Sequence, residues 1–211
     1  METVEQIKVR LEAAVPGLEV EVIPNPNSAE QPSLRMGLTH ILAAARFLRD
    51  DPSLRFDYAS NVTGVDWLDQ TFQERQRQRV LVDGAEREVE ITVQRIRPGY
   101  LEAIYHLYSM ELGHGPLVIR QRTANRTDQC RLVSLTPIWR GAEFQEREIY
   151  DLYGVVFEGH PDLRRILMWE GFQDFPMRKD YVEPDDYEYE PTPHDLVLEK
   201  ARLHYGHGGR S

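Results

Sequence analysis

The chain is poor in cysteine and has no long apolar run, and each shortage excludes a class of protein. Its only cysteine among 211 residues, Cys130, rules out an internal disulfide and any zinc or iron-sulfur site that needs several cysteines of this chain. No apolar stretch approaches the roughly 20 residues that span a bilayer. The sequence also lacks the glycine fingerprint that seats a dinucleotide pyrophosphate and the lysine-bearing loop that grips a triphosphate. We therefore expect a chain without a cofactor or a membrane span of its own.

Positive charge is also scarce. The chain has 25 Lys and Arg against 35 Asp and Glu, a formal net charge of -10. This balance opposes nonspecific binding to nucleic acid or to anionic lipid headgroups, so a protein partner is the better expectation. Residues 1–14 have neither the basic start nor the apolar run of a secretory signal, which favours a cytoplasmic location. A hydrophobic content of 41% suits one globular domain with a tail.

Hydrophobic periodicity predicts an α+β fold. Helical spacing of apolar residues predicts three helices, at 5–14, 39–48 and 142–153. Alternating or β-branched runs predict strands at 18–23, 34–36, 55–61, 100–109 and 117–123. Short turns rather than crossover helices join most of these runs, which favours antiparallel pairing. We expect residues 1–181 to form a two-layer domain, with a mixed, mainly antiparallel sheet packed against helices.

Two stretches stand apart from this pattern. Residues 70–97 form a charged insert in which Asp83-Gly84 separates two β-type runs, 80–82 and 89–93, and this arrangement predicts a hairpin. Residues 182–211 are acidic and rich in tyrosine and proline, so they cannot build a core of their own. We expect them to form an extended tail that docks on a partner.

The densest group of charges follows the third predicted helix. Gly154 stands where a helix cap belongs, and Arg147 lies four residues from both Glu143 and Asp151, a spacing that predicts ion pairs. Gly159 and Pro161 then bracket His160 in a predicted rigid turn. Beyond the turn, charged residues stand beside apolar ones, a mixture typical of protein-protein contacts.

The same region offers the candidates for catalysis. Glu148 and Asp151 are three residues apart on a helix and could share a face for acid-base work, but nearby arginines would lower their pKa values. His160 and Asp162 lack further metal ligands at a recognisable spacing, and His204 and His207 lie in a glycine-rich terminus. Cys130 has no activating histidine nearby and is predicted to be a buried thiol. No catalytic, cofactor-binding or metal residue is predicted.

The string EREIYDLYGVVFEGHPDLRRILM, residues 146–168, resembles the signature of the 30-kilodalton, C-type subunit of proton-pumping NADH:quinone oxidoreductase, respiratory complex I. PMRKDY, residues 176–181, is similar to its continuation, and residues 41–68, 103–109 and 134–148 resemble other parts of the family pattern. The signature residues, to which the resemblance assigns partner docking, are Glu146, Arg147, Glu148, Asp151, Gly154, His160, Pro161, Asp162, Leu163, Arg164, Arg165, Arg178, Lys179, Asp180 and Tyr181. The departures are Tyr153, Met177, Glu143-Phe144 and the insert 70–97, for which the family offers no interpretation.

The resemblance implies a non-catalytic subunit of the peripheral arm. In that family's complex, electrons pass from NADH through FMN and Fe-S clusters to quinone, and all of these groups belong to partner subunits. The resemblance further implies a hetero-oligomer on the cytoplasmic side of the membrane, in which the chain packs on the 49-kilodalton, D-type subunit and neighbouring Fe-S subunits. Residues 146–181 would form the docking surface and residues 183–203 a strap along the partner.

Two alternatives stay open on the sequence. In the first, an equivalent subunit serves a related membrane-bound hydrogenase or a ferredoxin-linked complex, and an NADH-oxidising flavin module in the native assembly would decide against it. In the second, the chain is a small stand-alone enzyme that uses Glu148, Asp151 and His160. Activity of the isolated monomer would support that second interpretation.

Overall fold

The computed structural model describes residues 2–27, 31–82 and 85–182, with the side chains of 78–82 and 85–89 excepted. Contacts group the chain up to Tyr181 into one compact unit. Apart from Val182, the predicted tail at 182–211 lies outside the described residues, and so do His204 and His207.

A five-stranded sheet forms the centre of this unit. Its strands are β1 (Val20–Ile23), β2 (Ser33–Met36), β3 (Tyr58–Trp67), β6 (Tyr100–Ser109) and β7 (His114–Arg122), in the order β1-β2-β7-β6-β3. Every pair is antiparallel except β2 with β7, which is parallel. The predicted bounds of β6 are confirmed, whereas β3 begins and ends later than the predicted strand at 55–61.

Three helices accompany the sheet: α1 (Val4–Ala14), α2 (Ile41–Asp50) and α3 (Glu143–Tyr153). The predicted helix at 39–48 is shifted, because Leu38–His40 form a 3₁₀ turn that leads into α2. The buried apolar residues of α1 and α2 join the inward side chains of β6 in one core, and this list includes Ile7, Leu11, Ile41, Ala44, Leu48, Leu101, Tyr105 and Leu107. Burial of this apolar surface is the main force that holds the helices on the sheet.

A separate two-stranded ribbon interrupts the chain between β3 and β6. Its strands, β4 (Gln70–Val82) and β5 (Ala85–Arg97), pair antiparallel from Gln70 opposite Arg97 to Val82 opposite Ala85. The predicted hairpin is confirmed and is longer than its two β-type runs indicated. The predicted turn residues, Asp83-Gly84, lie outside the described residues.

The last elements prepare the region that carries the signature residues. β8 (Arg131–Val133) pairs parallel with β9 (Val156–Glu158), and α3 lies between them in the chain after a 3₁₀ turn at Arg140–Ala142. Few helices and a mixed sheet confirm the predicted α+β class. None of the helices in the described part of the chain is long and apolar enough to cross a membrane.

Candidate functional site: helix α3 and segment 160–182

Helix α3 holds three charged side chains in the interior of the protein. Glu146 and Asp151 are completely buried, and Arg147 is 6% exposed. A buried charge is costly unless other groups pair with it, so each of these residues needs partners that the fold supplies. Glu148, on the same helix, is exposed. The helix therefore turns most of its signature charges inward.

Asp151 organises the chain that follows the turn at His160. One carboxylate oxygen accepts hydrogen bonds from the backbone N–H groups of Ile166, Leu167 and Met168, at 3.0, 2.7 and 2.8 Å. The other oxygen pairs with the Arg165 guanidinium at 2.6 Å. Burial alone would raise the pKa of Asp151, but these donors outweigh it and hold the pKa below its ordinary value. A charged carboxylate thus fixes the backbone of 166–168.

Arg147 holds the same segment through backbone carbonyls. Its guanidinium donates to the carbonyl oxygens of Arg164 and Arg165, each at 3.2 Å, and lies 3.7 Å from the Asp162 carboxylate. The predicted ion pairs of Arg147 with Glu143 and Asp151 are wrong. The physical reason is that the returning chain brings stronger acceptors over the buried guanidinium than the helix surface offers.

The turn at His160 is hydrogen-bonded, as predicted. The Nδ1 atom accepts from the backbone N–H of Asp162 at 3.1 Å, so Nε2 carries the proton and donates to the Glu143 carbonyl at 3.0 Å. Both ring nitrogens are therefore occupied by backbone groups. Asp162 pairs with the exposed Arg164 at 2.9 Å, and this bond lowers the pKa of Asp162.

Arg178 ties the end of the segment to the end of α3. Its guanidinium donates to the carbonyl oxygens of Tyr153 at 2.7 Å and Arg126 at 2.9 Å, and lies 4.7 Å from the centre of the Phe175 ring. The Phe175 ring in turn lies against Gly154, which ends α3 with φ at +75°. The segment is therefore clamped at both ends by arginines.

Two residues of this clamp escaped the sequence analysis. Asp66, at the end of β3, receives both arms of Arg126 at 2.6 and 2.7 Å and the backbone N–H of Lys179 at 2.8 Å. Burial would raise the pKa of Asp66, but these donors lower it. Arg126 also pairs with Asp180 at 3.0 Å. Asp66 and Arg126 are distant in sequence and neither stands in a recognisable motif, so no local signal marks them.

Glu146 faces the domain core rather than the surface. Its carboxylate accepts hydrogen bonds from four donors, the hydroxyls of Tyr105, Ser134 and Thr136 and the backbone N–H of Leu135, at 3.0, 2.6, 3.2 and 2.8 Å. None of these partners is charged, and burial raises the pKa of Glu146 above its ordinary value. Glu146 thus joins α3 to β6 and to the loop after β8.

The catalytic candidates are not assembled into a site. Asp151 is buried and held charged, whereas Glu148 is exposed, so the two do not share a proton-binding face. Burial raises the pKa of the Cys130 thiol, which is buried as predicted. Among the described residues no group of three or more His, Cys, Asp or Glu could hold a metal ion.

Segment 160–182 presents large apolar side chains to solvent. Leu167 is 55% exposed, Trp169 68%, Met177 54% and Val182 82%, while Phe144 on α3 is 58% exposed. The Trp169 ring contacts Phe172 edge to face, with ring centres 4.8 Å apart. Single exposed apolar residues are common, but several on one short, ordered segment are characteristic of interaction surfaces.

Comparison with known proteins identifies the family. Residues 35–187 match the family model described as "Respiratory-chain NADH dehydrogenase, 30 Kd subunit". The chain belongs to this 30-kilodalton subunit family. Two of its relatives are C-type subunits of NADH-quinone oxidoreductase. The one from Rhizobium etli, the second of its type by name, is 38% identical, and the one from Coxiella burnetii is 34% identical.

These two alignments cover 67% and 82% of this member of the family, and 59% and 71% of the respective relatives. A solved structure is also similar, in the membrane-bound sulfane sulfur reductase, an archaeal respiratory membrane complex. It covers 98% of this chain and 94% of the matched chain at 19% identity, with a TM-score of 0.53. This likeness supports the fold of the 30-kilodalton subunit family.

Proposed function

We propose that this chain is a non-catalytic, peripheral-arm subunit of an NADH:quinone oxidoreductase that docks on a partner through segment 160–182. The observation that carries the proposal is the contrast within that segment. Its backbone is fixed from behind by Asp151, Arg147 and Arg178, while Leu167 and Trp169 project into solvent. A surface ordered before binding loses little conformational entropy on association.

The partner in this proposal is the 49-kilodalton, D-type subunit, with Fe-S subunits as further neighbours. Family membership supports this assignment, and the exposed side chains of the segment supply the apolar centre and charged rim that such contacts use. The rim is formed by Arg164, Asp162, Lys179 and Asp180. The proposed location is the cytoplasmic side of the membrane, where the chain is peripheral.

In the proposed complex, NADH, FMN, the Fe-S clusters and quinone are handled by partner subunits. The chain itself contributes rigidity and recognition. The signature charges support this division of roles, because Asp151 and Arg147 are occupied by the chain's own backbone and His160 by two backbone groups. Residues 183–203 are proposed to run along the partner as a strap.

The proposal is tested by purifying the native complex from cells that carry Trp169→Ser together with Leu167→Ser. We expect the fraction of D-type subunit that co-purifies with the chain to fall about tenfold, with a parallel loss of NADH:quinone activity, because both side chains are exposed contact candidates. Met110→Ser is the matched control, since Met110 is 69% exposed but lies beyond the end of β6.

Normal assembly of the double variant would refute the docking role of the segment. Arg165 is unsuitable for this test, because its pairing with the buried Asp151 makes it part of the fold. Arg164, 71% exposed at its side chain, is suitable, and Arg164→Glu adds a charge-reversal arm. Truncation after Val182 tests the strap, and an unchanged complex would remove that part of the proposal.

A further inference from the structure

The β4–β5 ribbon has two chemically different faces. Because side chains alternate along a strand, the pairing of Gln76 with Ile91 and Glu74 with Val93 places Phe72, Ile91 and Val93 on one face. The other face carries Arg75, Arg77, Glu90 and Thr92. The Arg77–Glu90 pair on this second face, 3.6 Å apart, agrees with that division.

The apolar face has no covering layer among the described residues. β4 and β5 form a sheet of two strands that is separate from the five-stranded sheet. Phe72 is 42% exposed, and within the ribbon its ring meets Arg97, whose guanidinium carbon lies 5.6 Å from the ring centre. A two-stranded ribbon is marginal in water on its own and normally needs packing on one face.

The root of the ribbon is joined to segment 160–182. Gly99, just after β5, donates its N–H to the Asp69 carboxylate at 2.6 Å. A Cβ atom on Gly99 would lie 2.5 Å from Cδ of Arg126, the residue that pairs with Asp180. Nearby, the Lys179 ammonium lies 5.8 Å from the centre of the Trp67 ring. The ribbon therefore leaves the domain at the edge of the candidate docking surface.

We propose that the β4–β5 ribbon is a second docking arm, which lays its Phe72 face on the same subunit that binds segment 160–182. This inference rests on the proposed function, since it takes its partner from there. The recognised surface is apolar and flanked by acidic groups, because Arg97 stands exposed beside Phe72 on the contacting face. The continuity of the ribbon root with the segment selects this partner over a second copy of the chain.

The test places a photo-crosslinking amino acid at one position at a time in the full chain within the native complex. The positions are Phe72 on the apolar face, Ile96 on the opposite face of the ribbon, and Trp169 in the segment. Crosslinked subunits are identified by mass spectrometry. We expect positions 72 and 169 to capture the same subunit, and position 96, although 66% exposed, to give at least about tenfold less of that product.

The outcomes separate the two proposals. If position 169 captures a partner subunit and position 72 does not, the docking arm is refuted and the proposed function stands. If position 169 captures no subunit, the proposed function fails. Crosslinks from position 72 to another copy of this chain or to its own residues 183–211 would also overturn the docking arm.

A pair of variants supplies a second measurement. Phe72→Thr with Ile91→Thr keeps β-forming residues in the ribbon but removes its apolar face, and Ile96→Thr is the matched control. We expect the double variant to dissociate from the detergent-solubilised complex about tenfold faster than the control. Equal dissociation rates, with the ribbon intact by hydrogen exchange, would overturn the docking arm.

Discussion

Gly154 and Phe175 fit together so closely that the glycine has no room for a side chain. A Cβ atom at Gly154 would lie 2.6 Å from the Phe175 ring, well inside van der Waals contact. Gly154 also has φ at +75°, in the left-handed region that ends many helices. One residue thus satisfies two demands, the end of α3 and the close approach of the returning segment.

Gly154→Ala is expected to cost about 3 kcal/mol of unfolding free energy, through backbone strain of about 1 kcal/mol and displacement of Phe175. Gly159→Ala is the matched control, because Gly159 has φ at +82° but nothing within 4 Å of an added Cβ. Urea unfolding of the purified full chain measures both. Equal losses for the two variants would show that the Phe175 contact contributes nothing.

Asp151→Asn tests whether the buried carboxylate holds the segment. The amide cannot match the charge that Arg165 and three backbone N–H groups receive, so we expect a loss of about 3 kcal/mol. Asp50→Asn is the control, since Asp50 is 58% exposed at its side chain and pairs with the adjacent Arg49. Proteolysis should cut near residues 163–175 faster in Asp151→Asn than in the wild type. Unchanged stability and cleavage would contradict the assignment.

The dependence on pH follows from the lowered pKa values of Asp151 and Asp66, whose ordinary value is 3.8. A carboxylate with a pKa lower in the folded than in the unfolded state stabilises the fold above its unfolded value. That contribution is lost as the pH falls through the folded value. The deficit of Asp151→Asn relative to the wild type should be full above about pH 5 and shrink below about pH 4. A deficit that grows in acid would refute this.

Glu146 is predicted to behave in the opposite sense, because burial raises its pKa above 4.5. The charged form is then disfavoured by folding, so the wild type loses stability as the pH rises from about 4.5 through the folded pKa. In Glu146→Gln the amide can donate to the hydroxyls of Ser134 and Thr136 and still accept from Leu135. Glu146→Gln should therefore gain on the wild type with rising pH.

The companion variant Glu146→Ala removes the acceptor altogether. The backbone N–H of Leu135 and the Tyr105 hydroxyl would lose their partner in the interior, at a cost of about 2 kcal/mol or more. Denaturant unfolding across the pH series compares the two variants. Equal destabilisation by Gln and Ala would mean that the hydrogen bonds to Glu146 are unimportant.

Local pattern was enough to predict most of the secondary structure. The spacing of apolar residues in 142–153 and Gly154 after them indicated α3 and its end, because helix periodicity and a glycine cap are encoded within one short stretch. The strand at Tyr100–Ser109 was equally clear, since Leu101, Ala103, Tyr105 and Leu107 alternate inward. Asp-Gly likewise indicated the ribbon.

The contacts of the candidate site depend on distant parts of the chain and could not be predicted in this way. The spacing of Arg147 from Asp151 indicated an ion pair, but the chain after His160 returns and supplies each with a different partner. Asp66 and Arg126 meet only because β3 and the loop after β7 end at the same place. The parallel pairing of β2 with β7 is equally a product of the whole fold.

Helix α3 has a division of labour whose consequence reaches beyond stability. Glu146 reads the finished core, through β6 and the loop after β8, whereas Asp151 and Arg147 on the same helix shape the outer segment. The outer segment can then take its form only after the interior has closed around α3. A partner that selects the ordered segment would thereby inspect each newly made chain, and immature copies would be passed over during assembly.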